Sequence, residues 1–366
     1  MKFSVARDEL LRPLQMVVGV VERRQTLPIL ANVLINLQDG KLSLTGTDLE
    51  VEIVGYAHVE GDFEAGDITV PARKLLDIVK SLPDNATLQF EAADGKSTLK
   101  AGRSRFTLTT LPANEFPNVE EGAGRVQFTI AKQQLKKLID KTAFAMAQQD
   151  VRYYLNGMLF EVSANQLRLV ATDGHRLALC DGEVETGATE KLSVILPRKG
   201  VMELSRLLND DSNVDITIGA NHLLASAEDL RFTSKLVDGA YPDYDRVLPK
   251  GGDKNVVGDR QELKQAFSRT AILSNEKYRG VRLQLTAGQL KMVANNPEQE
   301  EAQEEVTINY GGEELEIGFN VSYLLDVLNV LDGEGIEMVL SDANSSAILQ
   351  DPNSPAATYV VMPMRL

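Results

Sequence analysis

Apolar and polar residues alternate with period two on both sides of a short turn at three places along the chain. VLINLQDGKLSLTGTD from Val33, MLFEVSANQLRLVATD from Met158 and VRLQLTAGQLKMVANN from Val281 each predict a pair of antiparallel strands. The turns fall at Asp39-Gly40, Ala164-Asn165 and Ala287-Gly288. Helical periodicity takes over next, in TVPARKLLDIVKSL from Thr69, VILPRKGVMELSRLL from Val194 and IGFNVSYLLDVLNVL from Ile317. Pro71, Pro197 and Asn320 mark equivalent points in these segments, and Pro197 is placed in the first turn, where a missing N–H costs nothing. RFTLTTLP from Arg105, RFTSKLVDG from Arg231 and TYVVMPMRL from Thr358 read as closing strands.

A basic amphipathic helix opens each unit. From Ala131 to Ala147, Leu135, Leu138, Ile139, Thr142 and Met146 share one face, and Lys132, Lys136, Lys137 and Lys141 occupy the other with Asp140 as the sole acid. The first unit offers Arg7, Arg12, Arg23 and Arg24, with Pro13 expected to kink or interrupt its helix. The third offers Arg260, Lys264 and Arg269. Later in each unit stand Arg73, Lys74 and Lys80, then Arg198, Lys199 and Arg206, whereas the helix from Asn320 is nearly neutral. A repeat of about 120 residues is too long for a solenoid and suits a domain. The 366 residues therefore divide into three α+β domains, 1–125, 126–252 and 253–366.

Charge changes this picture. The formal net charge is −15, which argues against a surface that coats nucleic acid all over, yet the basic residues concentrate on helices. Those helices either solvate an outer face or turn together toward one anionic partner, with the strands on the far side. The start MKFSVARDELLRP has no apolar run of signal-peptide length and no stretch is long enough to span a bilayer, so a cytoplasmic protein without membrane contact is expected. Cys180, the one cysteine, lies in the strand pattern RLALC and reads as a buried, inert thiol.

Chemistry is sparse. There is no glycine-rich phosphate loop, and His58, His175 and His222 are scattered without partners at metal-ligand spacing. Asp173-Gly174-His175-Arg176 is the one cluster with a catalytic look, and its counterparts Thr47-Asp48-Leu49-Glu50 and Asn295-Asn296-Pro297-Glu298 share no chemistry with it. No catalytic residue, metal or cofactor is assigned. A nucleotide-directed enzyme built on that cluster and a sequence-preferring DNA-binding regulator using the basic helices remain as rivals.

The strings TLPILANVL, TVPARK, DVRYYLNGMLFE, ATDGHRLA, FTSKLVDGAYPDY, AILSNEKYRGVRL, ANNPEQEEA and YVVMPMRL run in order along the chain. They resemble the bacterial DNA polymerase III beta subunit family, the sliding clamps. The resemblance implies three clamp-fold domains per chain and a head-to-tail homodimer closed into a ring, with helices on the inner face and antiparallel sheets outside. It implies a non-catalytic processivity factor that encircles duplex DNA and tethers the polymerase.

By position, the resemblance assigns DNA contact to Arg24, Arg73, Gln149, Tyr153 and Tyr154, with Lys136, Lys137, Lys141, Arg198 and Lys199 as a diffuse field. Tyr153 and Tyr154 read equally well as half-buried strand residues. Ring closure is assigned to Lys74, Arg103, Arg105, Phe106 and Leu108 meeting Ile272, Leu273, Glu298, Glu300, Glu301 and Glu304 of a second copy. Arg103 and Arg105 are expected on one face of a strand, with Phe106 and Leu108 on the other.

A partner-peptide groove is assigned between the second and third repeats. Its first wall comprises Arg152, Leu155, Thr172, Gly174, His175, Arg176 and Leu177. Pro242, Arg246 and Val247 follow, then Asn320, Tyr323 and Ser346. The apolar terminus supplies Val360, Val361, Met362, Pro363, Met364, Arg365 and Leu366, and methionine-rich surface adapts to several ligands. Asn344 departs from the family pattern, which has an apolar residue there. The implied peptide partners are the polymerase III alpha subunit, the clamp-loader delta subunit, and other polymerases or repair factors.

Overall fold

In the computed structural model the described residues are 1–22, 27–119 and 122–365, so Arg24 and Leu366 lie outside them. The chain forms two compact units, Met1–Gln133 with Lys199–Val237, and Gln134–Arg198 with Asp238–Leu366. The middle repeat is therefore divided, half in each unit.

All three hairpins are present with the turns the alternation predicts, since Gln38 pairs with Lys41, Ser163 with Gln166 and Thr286 with Gln289. Asp39 and Gly40 both take positive φ, 52° and 76°, the conformation that matches the twist of the flanking strands. The strands then do something the repeat alone did not announce, because four from one repeat and four from the next fuse into one eight-stranded sheet in each unit. In the first unit Val51–His58 pairs with Leu230–Lys235, with Ser234 opposite Val51. In the second, Arg176–Glu183 pairs with Ser354–Val361, with Arg176 opposite Val361. Each unit also carries a four-stranded sheet, ending at Ser104–Thr109 in one and at Glu301–Thr307 in the other.

Six α-helices occur among the described residues: α1 Arg7–Val18, α2 Ala72–Ser81, α3 Lys132–Thr142, α4 Arg198–Leu207, α5 Arg260–Thr270 and α6 Val321–Val330. Their apolar stripes are the predicted ones. Leu135, Leu138, Ile139 and Thr142 are at most 4% exposed, and burying each aliphatic side chain contributes about 1.5–3 kcal/mol. The α5 N-terminus is capped by Asp259, which accepts the Glu262 N–H at 2.7 Å, and α6 by Asn320, which accepts the Ser322 N–H at 2.9 Å.

Two proline expectations need correction. α1 runs through Pro13 without interruption, and a Cβ added to Gly55 would lie 2.6 Å from the Pro13 Cβ, so the pyrrolidine packs where the strand beneath has no side chain. Pro71 and Pro197 end strands Gly66–Pro71 and Leu192–Pro197 and precede the helices rather than joining their first turns. No helix among the described residues is long and apolar enough to cross a membrane.

Candidate functional site

In the second unit the hairpin strand Gln166–Thr172 ends in a tight turn through Asp173 and Gly174 before Arg176–Glu183 begins. The Asp173 carboxylate accepts the backbone N–H groups of His175 at 2.9 Å and Arg176 at 3.1 Å, and Thr172 Oγ1 donates to the Arg176 carbonyl at 2.6 Å. Gly174 sits at φ +86°, and its missing Cβ leaves room for the Arg152 guanidinium about 3.0 Å from that position. Arg152 in turn holds Asp150 through two nitrogens, at 3.0 and 2.8 Å, and this contact lowers the Asp150 carboxyl to about 2.

Arg176 is the hub. Its guanidinium bonds Asp173 at 3.2 Å, Asp326 on α6, and the Phe144 carbonyl at 2.9 Å. It also lies 4.4 Å from the Tyr323 ring centre and 5.3 Å from that of Phe144. The His175 ring stacks on Tyr323 at 6.5 Å, and the His175 carbonyl accepts the Met362 N–H at 3.0 Å. Met364 N–H then reaches the Gly318 carbonyl at 2.8 Å, which ties the terminal segment to the strand leading into α6. Burial raises the Tyr323 phenol above its ordinary range.

One row of residues crosses the eight-stranded sheet in register: Thr172, Leu177, Val360, Ile348 and Val339. Directly opposed residues share a face, so this row is continuous. Ile348 and Val339 line a pocket of about 550 Å³ together with Arg246, Val247, Lys250 and Ser346. Val247 and Met362 are each 45% exposed, and Pro242 and Arg365 are also exposed. Leu155, Leu177, Val360 and Val361 are at most 2% exposed, so they form the floor rather than the surface. Asn344 is exposed and its N–H is bound by Asp342 at 2.8 Å.

Asp326, Asp150, Phe144 and Lys250 escaped the sequence reading. Asp326 had a signal, since it lies three residues beyond Tyr323 and so on the same helical face.

The basic residues are less free than the pattern suggested. Lys132 is 1% exposed and binds Asp210 at 2.8 Å, while Lys141 binds Asp332 at 2.6 Å with its side chain 10% exposed. Lys137 bonds Asp332 and Lys136 bonds Asp140, so every lysine of α3 has an acidic partner. In the first unit Lys199 is held at 2.5 Å by both Glu22 and Asp48, and Arg73 donates to the Val21 carbonyl at 2.6 Å. In the second, Arg198 reaches the Met146 carbonyl at 3.5 Å. Gln149 is exposed at φ +56°. Tyr153 and Tyr154 belong to a 3-10 turn, Tyr153–Leu155, and not to a strand; their rings meet edge-on at 5.8 Å, with Tyr153 57% exposed.

The residues assigned to self-association lie at sheet edges. In Ser104–Thr109 Arg105 is exposed, Phe106 and Leu108 are half-buried, and Arg103 falls in the preceding turn rather than on the strand. Lys74 is exposed on α2. In the second unit Ile272 is 75% exposed on the turn Ala271–Leu273, with Leu273 half-buried. Glu301 and Glu304 stand on the edge strand Glu301–Thr307, with Glu298 and Glu300 just before it. Glu304 is already gripped by Arg269 at 2.6 and 2.9 Å.

Cys180 is buried, and desolvation pushes its thiol up to about 11. The described residues include no cluster of three His, Cys, Asp or Glu able to hold a metal. A tripled α+β fold with an apolar groove, a cationic rim and no reactive constellation defines the class as a docking protein of the clamp type.

Three family profiles cover the chain: the DNA polymerase III beta subunit N-terminal domain at 1–120, central domain at 129–243 and C-terminal domain at 245–365. Over 367 aligned residues and the full length of both chains, it is 62% identical to the beta sliding clamp of Pseudomonas putida and 53% identical to that of Escherichia coli K12. A crystal structure of the Pseudomonas aeruginosa sliding clamp matches with a TM-score of 0.98 at 60% identity, each chain covered completely. The same clamp bound to griselimycin matches with a TM-score of 0.98 at 61% identity, again over both whole chains. The chain belongs to the DNA polymerase III beta subunit family.

Proposed function

We propose that this chain acts as a DNA sliding clamp, a non-catalytic processivity subunit that encircles duplex DNA and tethers a replicative polymerase. What carries the reading is that the likeness to beta sliding clamps runs unbroken through all three repeats. The sequence-preferring regulator gains no support from any of these relatives.

Three domains with boundaries near 125/126 and 252/253 build the subunit, and two copies close head to tail. In that ring Phe106 and Leu108 of one copy meet Ile272 and Leu273 of the other, which removes the exposed Ile272 from water. Arg103, Arg105 and Lys74 face Glu298, Glu300 and Glu301 and set register more than affinity, and Glu304, held by Arg269, adds less than its charge suggests. DNA is retained by topology and weak phosphate attraction. Arg24, Arg73, Gln149, Tyr153 and Tyr154 are the contacts, and the paired lysines add a diffuse field.

The groove around Arg176 and the pocket at Val247 take short extended peptides of the polymerase alpha subunit, the clamp-loader delta subunit and repair factors. Griselimycin, which the Pseudomonas aeruginosa clamp binds, should compete with them. The protein works in the cytoplasm and needs no cofactor.

Loading the protein on a nicked circular plasmid and then linearising it tests the reading. Loss from the linear DNA but not from the circle is expected; stable retention after cutting overturns it.

A further inference from the structure

We infer that Asp326 is a positioning residue for peptide capture, acting through Arg176 and touching no peptide itself; this rests on the groove reading above. Arg176 joins four separate parts of the second unit. It bonds Asp173 in the turn, Asp326 on α6 and the Phe144 carbonyl, and it lies against the Tyr323 ring. Tyr323 stacks on His175, and the His175 carbonyl holds the Met362 N–H. The guanidinium therefore fixes both aromatic rings and the base of the terminal segment at once.

Asp173 cannot do this alone. Both its oxygens serve the turn, Oδ1 on the two backbone N–H groups and Oδ2 on the Arg176 Nε. The outward Nη1 of Arg176 is directed by Asp326. Asp326 and Tyr323 are one helical turn apart on α6, so the carboxylate pulls the guanidinium across the face of the ring that its own helix presents. A flat cation anchored at both ends keeps its plane. One anchored at a single end rotates, and the Tyr323–His175 stack gains rotamer freedom that a ligand must then remove.

The test uses full-length protein and a fluorescein-labelled decapeptide carrying leucine and phenylalanine beside one aspartate, followed by anisotropy and stopped flow. Asp326→Asn should weaken binding about tenfold, mostly through faster dissociation. Asp326→Glu should recover to within about threefold of the parent, because the charge is restored. Asp332→Asn, which breaks an ion pair of comparable exposure with Lys141, is the folding control and should bind as the parent does. Parent-like binding by Asp326→Asn, or an equal loss in Asp332→Asn, overturns the positioning role while leaving the groove intact. A parent that fails to bind the peptide at all overturns the groove reading and this inference with it.

Discussion

The turns Thr47–Val51 and Thr172–Arg176 occupy the same place in two successive repeats and have the same backbone hydrogen bonds. Thr47 Oγ1 donates to the Val51 carbonyl at 2.9 Å as Thr172 Oγ1 does to that of Arg176 at 2.6 Å. Asp48 accepts from Glu50 and Val51 as Asp173 does from His175 and Arg176. The third residue is Leu49 at φ +78° in one and Gly174 at φ +86° in the other. What hangs on the frame differs. Asp48 clasps Lys199 and the first turn ends in a valine. The second ends in Arg176, which reaches two aromatic rings and α6. One structural staple was thus duplicated, and only the copy with a glycine and an arginine became a groove. The absence of shared chemistry inferred for these segments holds for side chains and fails for the backbone.

The sharpest way to break this comparison is to remove its hub. Arg176→Ala leaves Asp173 and Asp326 without their shared cation and should lower stability by about 3 kcal/mol in urea unfolding. Lys199→Met, whose ammonium is 36% exposed, should lower it by less than about 1 kcal/mol. Equal losses would mean that the two turns are energetically alike.

Transplanting the first turn into the second comes next. Gly174→Leu places a side chain at positive φ and against the Arg152 guanidinium, so it should cost about 1–2 kcal/mol and weaken labelled-peptide binding at least tenfold. The reverse change, Leu49→Gly, relieves the left-handed penalty but adds unfolded-chain entropy. A net gain of up to about 1 kcal/mol in the urea midpoint is expected, with peptide affinity unchanged.

The smallest effect concerns pH in the first unit. Lys132 and Ser212 lower Asp210 to about 2, below the unfolded value near 3.9. Its contribution is therefore complete above about pH 4 and is lost as pH falls toward 2. With the Asp210 side chain 42% exposed, solvent screening keeps the contribution below about 1 kcal/mol. Asp210→Asn should flatten the urea midpoint between pH 4 and 2 and leave its slope above pH 5 unaltered.

Much of this was legible without coordinates. The three hairpins, their turns and the buried stripe of α3 follow from period and turn chemistry alone, because those signals act between neighbours in the chain. The lysine face misled for the same reason. Spacing places Lys132 and Lys141 on one side of a helix, but it does not say that Asp210 and Asp332 come across to meet them. Pro13 was misjudged because the glycine that accommodates it is 42 residues away in sequence.

Sequence by itself determined the tripled α+β plan, the edges of most elements and the family, since repetition and local pattern survive when the chain is read as a string. Only the tertiary structure decided that neighbouring repeats share one sheet, that Leu177, Val360, Ile348 and Val339 form a single row, and that Arg176 is anchored by Asp326. Cross-strand register and long-range charge pairing depend on which distant segments meet, and no local periodicity encodes that choice.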